Sequence, residues 1–145
     1  MLRTADGLGI SKVYMSGYTP YPKSDGDERL PHEAARADRA IQKTALDAAV
    51  SWRRVPNLTV LIEELKQEGY KVVALEQTPQ AVDIKDLPSQ DKIALIVGSE
   101  VGGIEASVLK LCDLHAQIPM SGQKESFNVA VAAALALYQI QKLAN

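Results

Sequence analysis

Short apolar runs bounded by glycine, alternating with helix-forming segments, constrain this chain more than any other feature. KVYMS (residues 12–16) lies between Gly9 and Gly17, YKVVALE (70–76) follows Gly69, and KIALIVG (92–98) ends on Gly98. Runs of this length, rich in β-branched residues and stopped by glycine, predict strands. The third is apolar throughout, as in strands buried on both faces of a parallel sheet. Between them, Leu61, Ile62 and Leu65 recur at helical spacing before the Gly69 stop. The segment 33–50 predicts a helix with Ile41, Ala45 and Ala48 on one face. MLRTADGLG has the form of a helix closed by glycine. SWRRV (51–55) predicts a further short strand, and residues 105–111 and 126–143 predict helices around the strand-like HAQIPM (115–120). Helix–strand alternation of this kind predicts a three-layer α/β domain with a mostly parallel sheet.

At 145 residues the chain fits a single domain, 1–145, large enough to bury roughly 68–70% of its unfolded surface. A composition 46% hydrophobic and 23% charged excludes disordered and fibrous classes. One cysteine, Cys112, excludes an internal disulfide, and His32 and His115 lack metal-ligand spacing, so no metal is expected. Cys112 is expected to be a small buried group at a helix end. The longest apolar run, residues 129–138, is too short to span a bilayer, and no signal-like segment opens the sequence. A reducing, cytoplasmic setting without membrane insertion is expected.

Charge is uneven: residues 1–54 carry 9 Lys/Arg against 7 Asp/Glu, and 55–145 carry 7 against 11. So small an excess proves no polyanion partner, but it directs attention to the first half. Residues 19–31, with three prolines, predict an exposed loop. Trp52, Arg53 and Arg54, with Lys23, Arg29, Arg36, Arg39 and Lys43, could stack on and grip RNA. The alternative is a surface strand with one packed indole, since six acidic residues intervene between Lys23 and Arg54.

Two loops could carry chemistry. In IALIVGSEVGGIEASVL a strand runs into a glycine-rich turn and a helix, the place where ligands sit in open α/β sheets; Glu100 lies at that edge. GSEVGG has neither the G-x-G-x-x-G order nor a P-loop ending, so the turn equally fits a tight connection with a solvated glutamate. In IPMSGQKESFNVAVAAALALYQI, Ser126 and Asn128 stand at the mouth of a small-residue helix. Either could cap it. The helix is apolar all round and should be buried against other helices or a second subunit.

Together, IVGSEVGGIEASVLKLCD, AQIPMSGQKESFNVAVAAALALY and RTADGLGISKVYMSG resemble the SpoU, or TrmH-type, RNA ribose methyltransferases of the SPOUT superfamily, over almost the whole chain. The resemblance implies an α/β domain whose C-terminal segment forms a trefoil knot, S-adenosylmethionine as cofactor, and a homodimer built on the knot region. It implies methyl transfer to a ribose 2′-hydroxyl of tRNA or rRNA. By motif position, Arg3, Glu100, Ser126 and Asn128 are the expected catalytic group, with Arg3 holding the phosphate. Leu75, Gly98, Ile118, Met120 and Phe127 are the expected cofactor contacts. Phe127 stands where leucine is commonest in the family. The chain opens almost at Arg3, without the family's preceding strand and first-motif asparagine, so the domain is expected to be N-terminally short. A non-catalytic knotted module that binds S-adenosylmethionine or RNA is the alternative function, and a flavodoxin-like domain for another ligand a third.

Overall fold

A computed structural model describes residues 1–17, 19–45 and 48–144. They divide into two compact units, Met1–Asn57 and Leu58–Asn145.

The first unit holds α1 (Leu2–Gly7), β1 (Lys12–Ser16), α2 (Pro31–Ala45) and β2 (Ser51–Val55). The expected glycine-closed helix is present, with the Ile10 N–H reaching the Ala5 carbonyl at 2.9 Å past Gly9. α2 starts on Pro31, whose fixed φ and missing N–H suit a first helical turn. It ends at Ala45, short of Ala48, and the predicted continuation through positions 46 and 47 lies outside the described residues. β1 and β2 pair in parallel, with Tyr14 opposite Arg53, and α2 lies in the crossover that a parallel pair requires.

The proline-rich stretch 19–31 is fastened to this sheet rather than free. Arg29 donates from Nε to Asp27 at 2.9 Å and from Nη1 to the Tyr21 carbonyl at 3.1 Å, with its guanidinium 3.7 Å from the Tyr21 ring centre. Tyr21 in turn lies 6.5 Å from Trp52, centre to centre. Arg54 donates to the carbonyls of Met15, Val55 and Gly17 at 2.8–3.0 Å. Trp52 and Arg54 are therefore committed to the unit's own packing, the packed-indole alternative, while exposed Arg53 lies 5.3 Å from the Tyr14 ring centre.

Hydrogen bonds from the Arg29 side chain hold the Asp27 carboxyl down at about 2, below its ordinary 3.8. A depressed carboxyl stabilises the folded state fully above the unfolded value, and that contribution is lost as pH falls from about 3.8 toward about 2. Fluorescence of Trp52, the only tryptophan in the chain, is expected to change across that window and to lose this transition in Asp27→Asn.

The second unit holds α3 (Leu58–Gln67), β3 (Lys71–Leu75), β4 (Val82–Asp83), β5 (Ile93–Val97), α4 (Ala106–Leu109), β6 (Leu114–Gln117) and α5 (Val129–Ala144). Its sheet, ordered β4-β6-β3-β5, is parallel throughout. α3 stops where the sequence predicts: Gly69 takes φ +86, which lets the Tyr70 N–H bond the Leu65 carbonyl at 2.9 Å. β3 is the central strand, and its alternating side chains supply both cores. Val72 and Ala74 pack with Ile62, Ile104 and Val108 beneath α3 and α4. Val73 packs with Ala116 and Ala136 beneath α5, joined by Ile84 and Leu87. The unit is thus layered, helix on sheet on helix.

Three expectations are refined here. The all-apolar KIALIVG does pack on both faces, Ala94 and Ile96 against one core and Ile93 and Leu95 against the other. But β5 ends the strand order and every residue in it is only half-buried, whereas Val72, Val73 and Ala74 of β3 are at most 1% exposed because strands flank β3 on both sides. Within the single chain α5 is buried on one side: Ala133 and Ala136 face the sheet, while Val131, Leu135 and Tyr138 are 45–51% exposed on the opposite face, the side the second-subunit alternative concerns. The helix also begins at Val129 rather than 126. β4 and the 3₁₀ turn Ile84–Asp86 had no sequence counterpart; the two-residue strand is too short to show a period, and the turn is held by Asp83, whose side chain accepts from the Lys85 N–H.

Candidate functional site

The parallel order brings the carboxyl ends of β3, β5 and β6 to one edge of the second unit. The loops that leave them and the entry to α5 enclose a cleft of about 520 Å³. Leu75, Val97, Ile118, Phe127, Val129 and Ala132 give it an apolar wall, and Glu76, Ser99, Glu100, Gln117, Ser126 and Asn128 add polar groups. A cleft of this size that sets polar groups beside apolar surface can take a small-molecule ligand with both polar and apolar parts.

The glycine-rich loop after β5 is folded back on itself. Ser99 and Gly103 exchange two backbone hydrogen bonds of 3.1 Å, and the Ser99 hydroxyl accepts from the Gly102 N–H at 3.0 Å. Gly98 permits this fold by close approach: a Cβ there would sit 2.2 Å from the carbonyl carbon of Gly103 and 2.6 Å from the Ile104 nitrogen. Glu76, at the end of β3, accepts the Ile104 N–H at 2.9 Å on one carboxylate oxygen and the Gln77 N–H at 3.1 Å on the other.

Asn128 links the two loops singled out in the sequence. Its side-chain oxygen accepts the Ala130 N–H at 2.9 Å, which makes it the cap of α5, and its amide nitrogen donates to Glu100 at 3.1 Å. The capping alternative thus falls on Asn128, alongside the bond to Glu100. Ser126, exposed, also lines the cleft.

Of the residues singled out in the sequence, Glu100, Ser126 and Asn128 share this cleft with Leu75, Gly98, Ile118 and Phe127. Met120, half-buried, is not among the residues lining it. Arg3 is exposed on α1 of the first unit. Glu76 and Gln77 line the cleft without having been singled out; their position next to Leu75, directly after a central strand, was the available signal.

Other reactive groups have structural employment. His115 is buried, with Nε2 2.9 Å from the Leu109 carbonyl and Nδ1 2.9 Å from the Thr78 hydroxyl. A carbonyl only accepts, so Nε2 carries a proton directed at Leu109, while Nδ1 pairs with the Thr78 hydroxyl. Burial pushes the Cys112 thiol up, and its sulfur donates to the Val108 carbonyl, so it is held unreactive. Among the described residues no acidic, histidine or cysteine cluster is placed to hold a metal, and no helix is long and apolar enough to cross a membrane.

The sequence model of the SpoU rRNA Methylase family matches residues 1–138. The chain belongs to the SpoU family. Its curated relatives include the 23S rRNA (guanosine(2553)-2'-O)-methyltransferase RlmP of Bacillus subtilis, 35% identical over 97% of this chain and 51% of the relative. A putative TrmH family tRNA/rRNA methyltransferase of Staphylococcus haemolyticus is 33% identical over 98% of this chain and 52% of its own. This SpoU chain therefore spans about half the length of the curated relatives it matches. Among solved structures, the A. aeolicus TrmH/SpoU tRNA modifying enzyme superposes with a TM-score of 0.73 at 22% identity, over 98% of this chain and 66% of that one. The AdoMet-bound rRNA methyltransferase of Sinorhizobium meliloti gives 0.74 at 24% identity, over 97% and 49%. The fold is that of the SpoU/TrmH methyltransferases.

Proposed function

We propose that this SpoU-family chain, as one domain over 1–145, is an S-adenosylmethionine-dependent ribose 2′-O-methyltransferase of tRNA or rRNA. The observation that carries the reading is the Asn128–Glu100 hydrogen bond, which joins the two loops bearing the family motifs at the rim of one cleft.

The cleft suits the cofactor. Its volume lies in the range of small-molecule sites, and Leu75, Ile118 and Phe127 offer apolar surface for an adenine ring. The tight backbone packing at Gly98 leaves main-chain groups, rather than a side chain, at that wall. Of the expected contacts, Leu75, Gly98, Ile118 and Phe127, which line the cleft, hold the cofactor in this reading, and Met120 lies outside that lining. When bound, S-adenosylmethionine supplies an electrophilic methyl group for the ribose hydroxyl. The chain's contribution is to orient the ribose, and positioning of that kind supplies much of the rate in group transfer. Asn128, Glu100 and Ser126 orient the ribose by hydrogen bonds. Arg3 anchors a phosphate of the RNA, since a guanidinium binds phosphate through paired donors and is a poor base.

The C-terminal segment forms a trefoil knot in this reading, and the protein acts in the cytoplasm as a homodimer. Support for the dimer comes from Val131, Leu135 and Tyr138, whose 45–51% exposure leaves an apolar stripe on α5.

Calorimetric titration with S-adenosylmethionine, paired with a methylation assay on bulk tRNA and rRNA, tests the proposal. Binding with transfer to either RNA is the expected result. Binding without transfer would leave a non-catalytic binding module, and no binding would remove the cofactor reading.

A further inference from the structure

We propose that Glu76 is a positioning residue that sets the shape of the cofactor cleft. The inference rests on the S-adenosylmethionine reading of that cleft.

Glu76 is well placed to set another loop. Its backbone is fixed to the sheet, because its N–H continues the ladder to the Ala116 carbonyl at 2.9 Å. Its carboxylate then reaches across to the glycine-rich loop and accepts the Ile104 N–H at 2.9 Å. A charged acceptor on a backbone N–H makes one of the stronger hydrogen bonds available to a protein. Gly103 is shaped around it: a Cβ there would lie within 2.4 Å of the same carboxylate oxygen. The neighbouring side chain completes the device, since Gln77 Nε2 donates to the Glu125 carbonyl at 2.7 Å, just before Ser126.

Two consecutive residues at the end of β3 therefore fasten two separate loops. One loop carries Gly98 and Glu100; the other carries Ser126, Phe127 and Asn128. The Asn128–Glu100 bond closes the ring. A binding site whose loops are held in place before the ligand arrives loses less conformational freedom on binding, so removal of the clamp lowers affinity even where the fold survives.

The test compares Glu76→Ala with Glu76→Gln in the full chain, by calorimetry with S-adenosylmethionine, by amide hydrogen exchange at Ile104 without ligand, and by steady-state kinetics. Glu76→Ala is expected to bind about 10-fold or more weakly, the effect of losing one hydrogen bond to a charged group. Its KM for S-adenosylmethionine should rise, and Ile104 exchange should accelerate. Glu76→Gln, whose amide oxygen can still accept from Ile104, should recover affinity to within about 3-fold and restore slow exchange. Unchanged affinity in Glu76→Ala, or equal losses in both variants with Ile104 still protected, would overturn the proposal. If the parent chain itself binds no S-adenosylmethionine, the cofactor reading fails, and unchanged Ile104 exchange in Glu76→Ala would separately show that Glu76 holds no loop.

Discussion

Replacement of Gly98 by alanine is expected to abolish measurable S-adenosylmethionine binding, with affinity falling about 100-fold or more, equivalent to about 2.7 kcal/mol. The new Cβ would lie 2.2 Å from the Gly103 carbonyl carbon, 2.5 Å from its oxygen and 2.6 Å from the Ile104 nitrogen. All three are backbone atoms, so no side chain can swing aside. The loop must open instead, which separates Ser99 from Gly103 and pulls Ile104 away from Glu76. Overpacking of a closed site costs about 1–3 kcal/mol before any hydrogen bond is lost. Gly102→Ala is the control, because its Cβ would meet only the Ser99 hydroxyl at 3.3 Å and its φ is not in the left-handed region. It should keep affinity within about 3-fold, since a few tenths of an ångström relieve the contact. Equal binding by Gly98→Ala and the parent would contradict this account of the cleft.

The second large effect concerns Asn128, whose side chain has two separable tasks. Its oxygen caps α5 and its amide nitrogen holds Glu100. Asn128→Ala loses both, with a cap loss of about 0.5–2 kcal/mol in stability and, from a misplaced ribose, a fall of about 100-fold in methyl transfer. Asn128→Asp separates the tasks. Aspartate caps as well as asparagine, so the melting temperature should stay near that of the parent. It has no N–H to give Glu100, however, and sets a second carboxylate beside the first. Methyl transfer should fall as far as in the alanine variant. An active Asn128→Asp would show that Asn128 serves only as a cap.

Legibility in the sequence followed the strength of local signals. β1 and β2 were found at their observed residues because short β-rich runs between glycines or prolines have few other readings. The Gly69 stop was legible for a similar reason, since few other residues take φ +86. What depends on neighbours far along the chain was not legible. KIALIVG is more apolar than YKVVALE, yet strand order makes β3 the buried centre and β5 the end, and no property of either run encodes that order. Trp52 and Arg54 attract notice as RNA-binding residue types; their employment against Tyr21 and the Met15 and Gly17 carbonyls depends on a loop fold that composition does not specify.

The site divided along the same line. Glu100, Ser126 and Asn128 stood out as polar groups at the ends of apolar elements, and all three line one cleft. Glu76 did not stand out, because a glutamate after a strand is ordinarily a solvated residue. Its role is visible only once Gly103 and Ile104 have been folded against it. Arg3 entered through family resemblance alone, and α1 by itself gives it no chemical distinction.

The most direct test of the central claim is nucleoside mass spectrometry of tRNA and rRNA incubated with the chain and S-adenosylmethionine carrying a deuterated methyl group. The account predicts the label on 2′-O-methyl nucleosides, and its loss in Asn128→Ala. Label on a base instead of a ribose, or no labelled RNA from a chain that binds the cofactor, would contradict it.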